Sequence, residues 1–343
     1  MRVAELIAVR RFQIVDEAIG EPGPGQVQVR VRMVGACGSD LHNFAEGGIG
    51  DQLVRFPMVL GHEPAGTVLK TGPGVTGWSA GDRAALEASL FCHHCEFCRS
   101  GRHNLCLNLR FLSTDEPGFF RELVNLPAEN LLPLPVNLSL SDATLFEPLS
   151  IALHSLKQAP IQQGESAVVF GAGPIGLLTI AALKLLGASR VWAVEPVAAR
   201  RDLAARVGAD AALDPAGADP VRQVLADTGD RGADMVFDCA TKGDSINQSL
   251  RAARNAGRVV LTGIPSELLT PMEFHVMRRK ELTLFNVRRS NRECHEALAM
   301  LGQHPGRFLP IITHLRSLDQ IQPAFCMLEQ YADGVGKLVI DLS

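Results

Sequence analysis

Ala167-Val-Val-Phe170, running straight into Gly171-Ala-Gly173-Pro-Ile-Gly176, decides the fold of this chain. The first four residues read as a short buried strand, and the apolar run from Ile175 to Leu186 has helix length. Between them Gly171 permits a tight turn, Gly173 lets a bulky anion approach the backbone, and Gly176 lets helix and strand pack closely. Pro174 suits the first helical turn, where its missing N–H has no partner to lose. The exposed amides and the helix dipole then face an anion such as a pyrophosphate. Glu195 ends the next strand-like run roughly 20 residues on, the spacing of a ribose-binding acid. A bare G-x-G-x-x-G marks many tight turns; strand, helix and acid together point to a dinucleotide. The Glu195 carboxylate accepts a ribose 2′-hydroxyl and repels a 2′-phosphate, which favours NAD. Arg200 and Arg201 lie just beyond and soften that repulsion, unless they sit on a solvated helix face, the reading preferred for Arg201.

Outward from this motif, Arg190–Glu195, Ala211–Leu213, Asp234–Asp238, Arg258–Thr262 and Leu282–Val287 repeat the short apolar or β-branched texture. Helix-length segments such as Val197–Val207 separate them. Strands alternating with helices imply parallel pairing, so the six runs predict a doubly wound six-stranded sheet. From Met1 to about Pro148 the texture differs: alternating runs such as Val27-Gln-Val-Arg-Val31 are broken by Pro/Gly turns such as Glu21-Pro-Gly-Pro-Gly25. That zone reads as mainly β. The tail after Arg288 holds a helical pattern, Arg292–Leu301, and a strand-like Lys337–Asp341, too little for a core of its own. The expectation is a split domain, residues 1–150 and 288–343, around a nucleotide-binding domain of residues 151–287.

A length of 343 residues fits two domains, and 46% hydrophobic with 20% charged residues excludes a disordered chain. A net charge of −4 gives no footprint for nucleic acid or an anionic membrane. No apolar run reaches membrane-spanning length, and the start does not read as a signal peptide, so a cytoplasmic protein is expected.

In that compartment the eight cysteines favour metal over disulfides. Cys92-x2-Cys95-x2-Cys98-x7-Cys106 places four thiols at spacings that converge on one tetrahedral zinc and leave no open position, so this zinc is structural. A second set is dispersed: Cys37-Gly-Ser-Asp40-x-His42, Gly61-His62-Glu63 and Glu147-Pro148. Cys37, His62 and Glu147 supply thiolate, imidazole and carboxylate, a donor set for a catalytic zinc with one open position. Asp40 is a candidate partner for the far nitrogen of His62. Their convergence is not visible in sequence, and singly each has a plain alternative: a buried thiol, a turn. Cys239, Cys294 and Cys326 read as core thiols.

Taken in this order, these constellations resemble the zinc-dependent medium-chain alcohol dehydrogenases over essentially the whole chain. The resemblance is carried by Gly35-Ala-Cys-Gly-Ser-Asp-Leu-His42, Met58-Val-Leu-Gly-His-Glu63, Gly81-Asp-Arg83, the four-cysteine lobe and the glycine loop. Glu46-Gly-Gly-Ile-Gly50 and Phe146-Glu-Pro-Leu-Ser-Ile-Ala-Leu-His154 are similar to the polyol branch, the sorbitol and xylitol dehydrogenases. The resemblance implies a nucleotide-binding (Rossmann) domain inserted into a GroES-like catalytic domain, two zincs per chain, NAD as cofactor and a homo-oligomer, tetramer or dimer. It implies oxidation of a secondary alcohol of a polyol or sugar-like substrate to a ketone by hydride transfer. Aldonate, threonine and butanediol are the alternative substrates, and a non-catalytic NAD- and zinc-binding relative is the alternative class.

Residue by residue, it makes Cys37 and His62 catalytic-zinc ligands, with Glu63 and Glu147 both candidates for the carboxylate. Ser39 matches the hydroxyl that bonds the substrate oxygen, and His42 a proton relay. Ile175 matches a residue of the cofactor cleft and Arg200 one near the adenosine. Two departures stand out. Asn43 replaces an aromatic residue, and Val287-Arg-Arg-Ser290 replaces Phe-Arg-Tyr, so Arg288 matches the substrate-binding arginine and Arg289 is an added charge. Arg289 either points to solvent or, with Arg288, serves a substrate carboxylate.

Overall fold

A computed structural model describes residues 1–343. The chain divides into two compact units. One comprises Met1–Glu147, Cys294–His304 and Ile312–Ser343; the other comprises Pro148–Glu293 and Pro305–Ile311.

The first unit is built on a mixed sheet. Its strand order is Leu131–Pro133, Arg83–Leu86, Glu63–Thr71, Gln26–Gly35, Lys337–Asp341, Ile312–Ser317, and Leu123–Pro127 also pairs with Gln26–Gly35. Pairing is antiparallel except between the last two strands. The alternation read at Val27, Val29 and Val31 is that of one buried face: all three are sealed from solvent. Against the sheet lies an aromatic cluster of Phe44, Phe120 and Phe325, with ring centroids 5.3 and 5.8 Å from Phe325. The C-terminal strand brings Val339 opposite Gly35, and Gly35 in turn lies opposite Glu63. That register aligns three distant pieces of sequence on one line across the sheet.

The second unit is the doubly wound sheet. Its order is Ala211–Leu213, Arg190–Val194, Ser166–Phe170, Ala233–Asp238, Ala253–Leu261, Thr283–Asn286, all parallel. This is the order of the nucleotide-binding fold, with its switch point beside Ser166–Phe170. Every residue of Ser166–Phe170 and Ala233–Asp238 is buried, as central strands covered on both faces must be. Helices Pro174–Leu185, Ala198–Val207, Pro220–Asp227, Ser245–Ala252 and Phe274–Lys280 fill the crossovers. The helix expected over Arg292–Leu301 runs Cys294–Gln303. The positive φ of Arg292 and the buried Glu293 precede it, so the helix starts two residues later than periodicity suggests. No helix is long and apolar enough to cross a membrane.

Candidate active site and cofactor sites

In the second unit, Gly171 has φ +86°, and a Cβ there would come within 3.0 Å of the Ala240 backbone nitrogen. A Cβ on Gly176 would overlap the Gly171 carbonyl oxygen. Gly173 differs: it caps the helix Pro174–Leu185, and nothing lies within 4 Å of where its Cβ would be. Two glycines are therefore needed for packing, and the third leaves open space at a helix N-terminus, a place for an anion. Glu195 is buried, and its carboxylate accepts the Ala172 amide at 2.8 Å and the Val197 amide at 2.9 Å. The first bond ties the acid to the glycine loop, and the second closes its own turn. Arg201 is not on a solvated face: it donates to the carbonyls of Glu195 and Pro196 and pairs with Asp214 at 3.0 Å. Arg200 and Ile175 are half-buried at the starts of their helices.

In the first unit, the sulfurs of Cys92, Cys95, Cys98 and Cys106 all lie within 4.8 Å of one another. Cys92 Sγ is 3.4 Å from Cys106 Sγ and 4.0 Å from Cys98 Sγ. Tetrahedral zinc with bonds of about 2.3 Å requires sulfurs about 3.8 Å apart. These separations fit that edge and are far too long for disulfides; all eight cysteines are free thiols. The Cys92 amide donates to Cys106 Sγ, and the Cys98 amide to Cys95 Sγ. Backbone donation from His94 holds the Cys92 thiol down to about 5, whereas burial pushes Cys98 up to about 12. Four crowded sulfurs cannot all ionise without a cation, which is what this donor set would hold.

The dispersed residues also meet. Cys37 immediately precedes the helix Gly38–Glu46, and its amide donates to Asp40 Oδ2 at 3.1 Å. Asp40 is fully buried. Its Oδ1 accepts the Gly61 amide at 3.1 Å and Ser113 Oγ at 3.0 Å, and lies 3.3 Å from His62 Nδ1. His62 therefore keeps Nε2 for a metal. Donor atoms of Cys37, His62 and Glu63 lie within 4.8 Å of one another, a cluster that includes Glu63 and not Glu147. Burial works against a charged His62, but Asp40 and Cys37 overcome it and hold its pKa well above the usual value. A metal binds the neutral imidazole, so metal and proton would compete for this ring.

Glu147 lies beside this cluster, buried, with Oε2 lacking any hydrogen-bond partner. Burial pushes it up to about 7; His62 and Lys337 pull it down while the carboxylates of Glu63 and Glu87 push it up. An orphaned buried carboxylate oxygen next to thiolate, imidazole and a second carboxylate fits a zinc site. Ser39 and His42 share the helix Gly38–Glu46, and His42 Nδ1 sits 3.2 Å from Glu46 Oε1, at its half-exposed end.

Three further residues went unpredicted. Ser113, at a strained φ of +93°, aims its hydroxyl at Asp40. Lys337 forms a buried ion pair with Glu63. Cys294, expected to be only a core thiol, is buried but donates to Glu87 Oε2 at 2.7 Å. None carries a local sequence signal, because the partner of each lies far away in the chain. In the second unit Arg288 is exposed, while Arg289 is half-buried, with φ +54° and Nη1 sealed from solvent. Of the two arginines, Arg289 is the less exposed.

Two family models match the chain: the alcohol dehydrogenase GroES-like domain over residues 23–136 and the zinc-binding dehydrogenase domain over 174–303. The chain is 37% identical over 279 residues to "Probable D-xylulose reductase A" of Aspergillus fumigatus, covering 78% of this chain and 76% of that protein. It is 33% identical to L-threonine 3-dehydrogenase of Pyrococcus horikoshii, over 96% of this chain and 95% of the relative. Among solved structures, 2R,3R-butanediol dehydrogenase from Bacillus subtilis superposes with a TM-score of 0.90 at 28% identity, over 100% of this chain and 99% of that one.

Proposed function

The chain belongs to the zinc-dependent medium-chain alcohol dehydrogenases, in their polyol branch, and from that premise we propose that it oxidises a secondary alcohol of a polyol to a ketone with NAD as hydride acceptor. The observation that carries the reading is the convergence of Cys37, His62 and Glu63, from a helix start, a loop and a strand end, within 4.8 Å. These three would hold a catalytic zinc, with Glu147 beside it, and the four-cysteine lobe would hold a second, structural zinc. Once bound, the catalytic metal supplies Lewis acidity toward the substrate hydroxyl, and the dinucleotide supplies the hydride acceptor.

The chain's own residues do the rest. Ser39 takes up the substrate hydroxyl proton as it gives up its own, which would pass by way of the cofactor ribose to His42, linked to Glu46, and on to solvent. Asp40 fixes the His62 ring and the Cys37 turn, so the donors need no reorganisation on binding. The glycine loop and the helix starting at Pro174 bind the pyrophosphate, and Glu195 receives the ribose hydroxyls. The Met1–Glu147 unit is then the catalytic domain and the Pro148–Glu293 unit the NAD domain, in a cytoplasmic homo-oligomer, tetramer or dimer.

A second substrate class, a hydroxy acid such as an aldonate or threonine, is favoured by one observation. Arg289 is half-buried at a φ of +54°, and a guanidinium pairs with a carboxylate bidentately. A screen of polyols, aldonates, threonine and butanediol with NAD and with NADP, read as NADH or NADPH absorbance, tests both. Polyol turnover with NAD is expected. Turnover confined to carboxylate substrates would replace the polyol assignment, and preference for NADP would overturn the role given to Glu195. Cys37→Ser and His62→Ala should each abolish turnover while NAD still binds. Near-normal activity of either would remove the catalytic-zinc assignment.

A further inference from the structure

Lys337 is the most deeply buried cation of the chain, 1% exposed, and Glu63, which it touches, is 0% exposed. Lysines are almost never fully buried unless paired, and this one stands at the start of a strand whose next three residues, Leu338, Val339 and Ile340, are apolar. Strand register explains how it gets there. Gly35 lies opposite both Val339 and Glu63, and Lys337 is two residues from Val339, hence on the same face of the sheet. Because position 35 is glycine, the lysine stem crosses it: a Cβ there would come within 3.0 Å of Lys337 Cε and would overlap Glu63 Oε2. The glycine leaves a slot, and the slot delivers an ammonium to one carboxylate oxygen.

Asp40 aside, whose carboxylate faces His62, the charges of the donor set can be matched. Cys37, Glu63 and Glu147 offer three negative charges when ionised, and a zinc ion brings two positive ones. Lys337, whose further charged neighbours are Cys37 and Glu147, brings the third. A carboxylate already held by an ammonium is a weaker metal donor than a free one, because the two cations compete for the same electron pairs and repel each other. We infer that Lys337 is a positioning residue that engages Glu63 through one oxygen and lowers its strength as a zinc ligand. The inference rests on the zinc reading of Cys37, His62 and Glu63, and it gives the C-terminal strand a part in that site.

The test is zinc affinity at the catalytic site, measured by chelator competition, together with the rate of zinc release from loaded protein to excess chelator. Both are read for the wild type, Lys337→Met, Lys337→Arg, and Lys337→Met in a Glu63→Gln background. Lys337→Met should bind zinc at least ten-fold tighter and release it more slowly, with a lower kcat. Lys337→Arg, which keeps the charge, should stay within three-fold of wild type. On the Glu63→Gln background the effect of Lys337→Met should shrink to three-fold or less. The release rate is measured on holoenzyme, so a variant that folds only with metal still answers. Equal or weaker zinc binding in Lys337→Met, or release as fast as wild type, would show that the lysine only supports the fold and would overturn the inference. A wild-type chain that binds no zinc outside the four-cysteine lobe would overturn the zinc reading itself.

Discussion

Asp40 is the group on which most of the catalytic cluster hangs, and two substitutions separate its roles. Its Oδ2 accepts the Cys37 amide; its Oδ1 accepts the Gly61 amide and the Ser113 hydroxyl and faces His62 Nδ1. In Asp40→Asn the amide has two orientations. Keeping the oxygen at the Gly61 side preserves three of these contacts and turns an NH2 toward the Cys37 N–H. The reverse loses three to keep one. The first should prevail, leaving one buried amide orphaned at about 1–3 kcal/mol. The oxygen facing His62 still holds its Nδ1–H tautomer, so zinc affinity should fall by about ten-fold, the low end for loss of such a supporting group. In Asp40→Ala two backbone amides and a hydroxyl lose their acceptor together. The expected loss is about 3–6 kcal/mol, summing one to three kcal/mol for each orphan and allowing for partial relaxation. The imidazole is then unheld, and zinc affinity should fall by about a hundred-fold.

The assay is urea unfolding of metal-free and zinc-loaded protein at one free zinc concentration. A ligand that binds only the folded state stabilises by RT ln(1 + [L]/Kd), so each ten-fold loss of affinity narrows the gap between the two curves by about 1.4 kcal/mol. Asparagine should narrow it once and alanine about twice, on top of their metal-free losses. If the metal-free protein is unchanged by Asp40→Ala, the hydrogen bonds drawn here do not support the loop. If both variants lose stability while the gap stays constant, Asp40 does not hold a metal ligand.

Two other outcomes are expected. Cys95→Ser should reduce zinc from two ions per chain to one by elemental analysis and lower the thermal midpoint, while cofactor binding, measured by NADH fluorescence, persists. The third concerns acid stability. Burial raises the carboxyl of Asp234, but Arg231, the Ser166 amide and Arg254 overcome it and hold it well below the usual carboxylate range. A depressed folded-state pKa contributes stability that is present above the unfolded value of about 4 and is lost as pH falls through the folded one. Asp234→Asn should therefore flatten the decline of the urea midpoint below about pH 4 and lower its neutral plateau; an unchanged acid limb would refute this.

What was readable in the sequence is what depends on neighbours along the chain. The glycine loop, its strand and helix, and the four-cysteine lobe are local: their geometry follows from spacing, and the structure places each as the spacing requires. The six parallel strands were readable for the same reason, since each crossover leaves its own periodic stretch. Arg201 was misread because a helix-face argument sees only periodicity, whereas the carbonyls of Glu195 and Pro196 at the strand end draw the guanidinium inward.

The choice between Glu63 and Glu147 was not readable, and the reason is register. Both acids are near His62, and composition treats them alike. What distinguishes them is that Glu63 sits opposite a glycine that is also opposite the C-terminal strand, and only this pairing brings Lys337 to its carboxylate. Glu147, at the start of the helix Phe146–Gln158, has no such counter-ion in contact, and its pKa is raised where Glu63 is paired. Of two carboxylates of the same type, only one is thereby placed in contact with the lysine at the far end of the chain. A one-residue slip of the C-terminal strand would turn Lys337 to the opposite face and remove that difference without altering a single ligand. The make-up of the cluster therefore depends on sheet register as much as on donor identity, and a motif containing every candidate ligand still lacks the lysine that register brings to one of them.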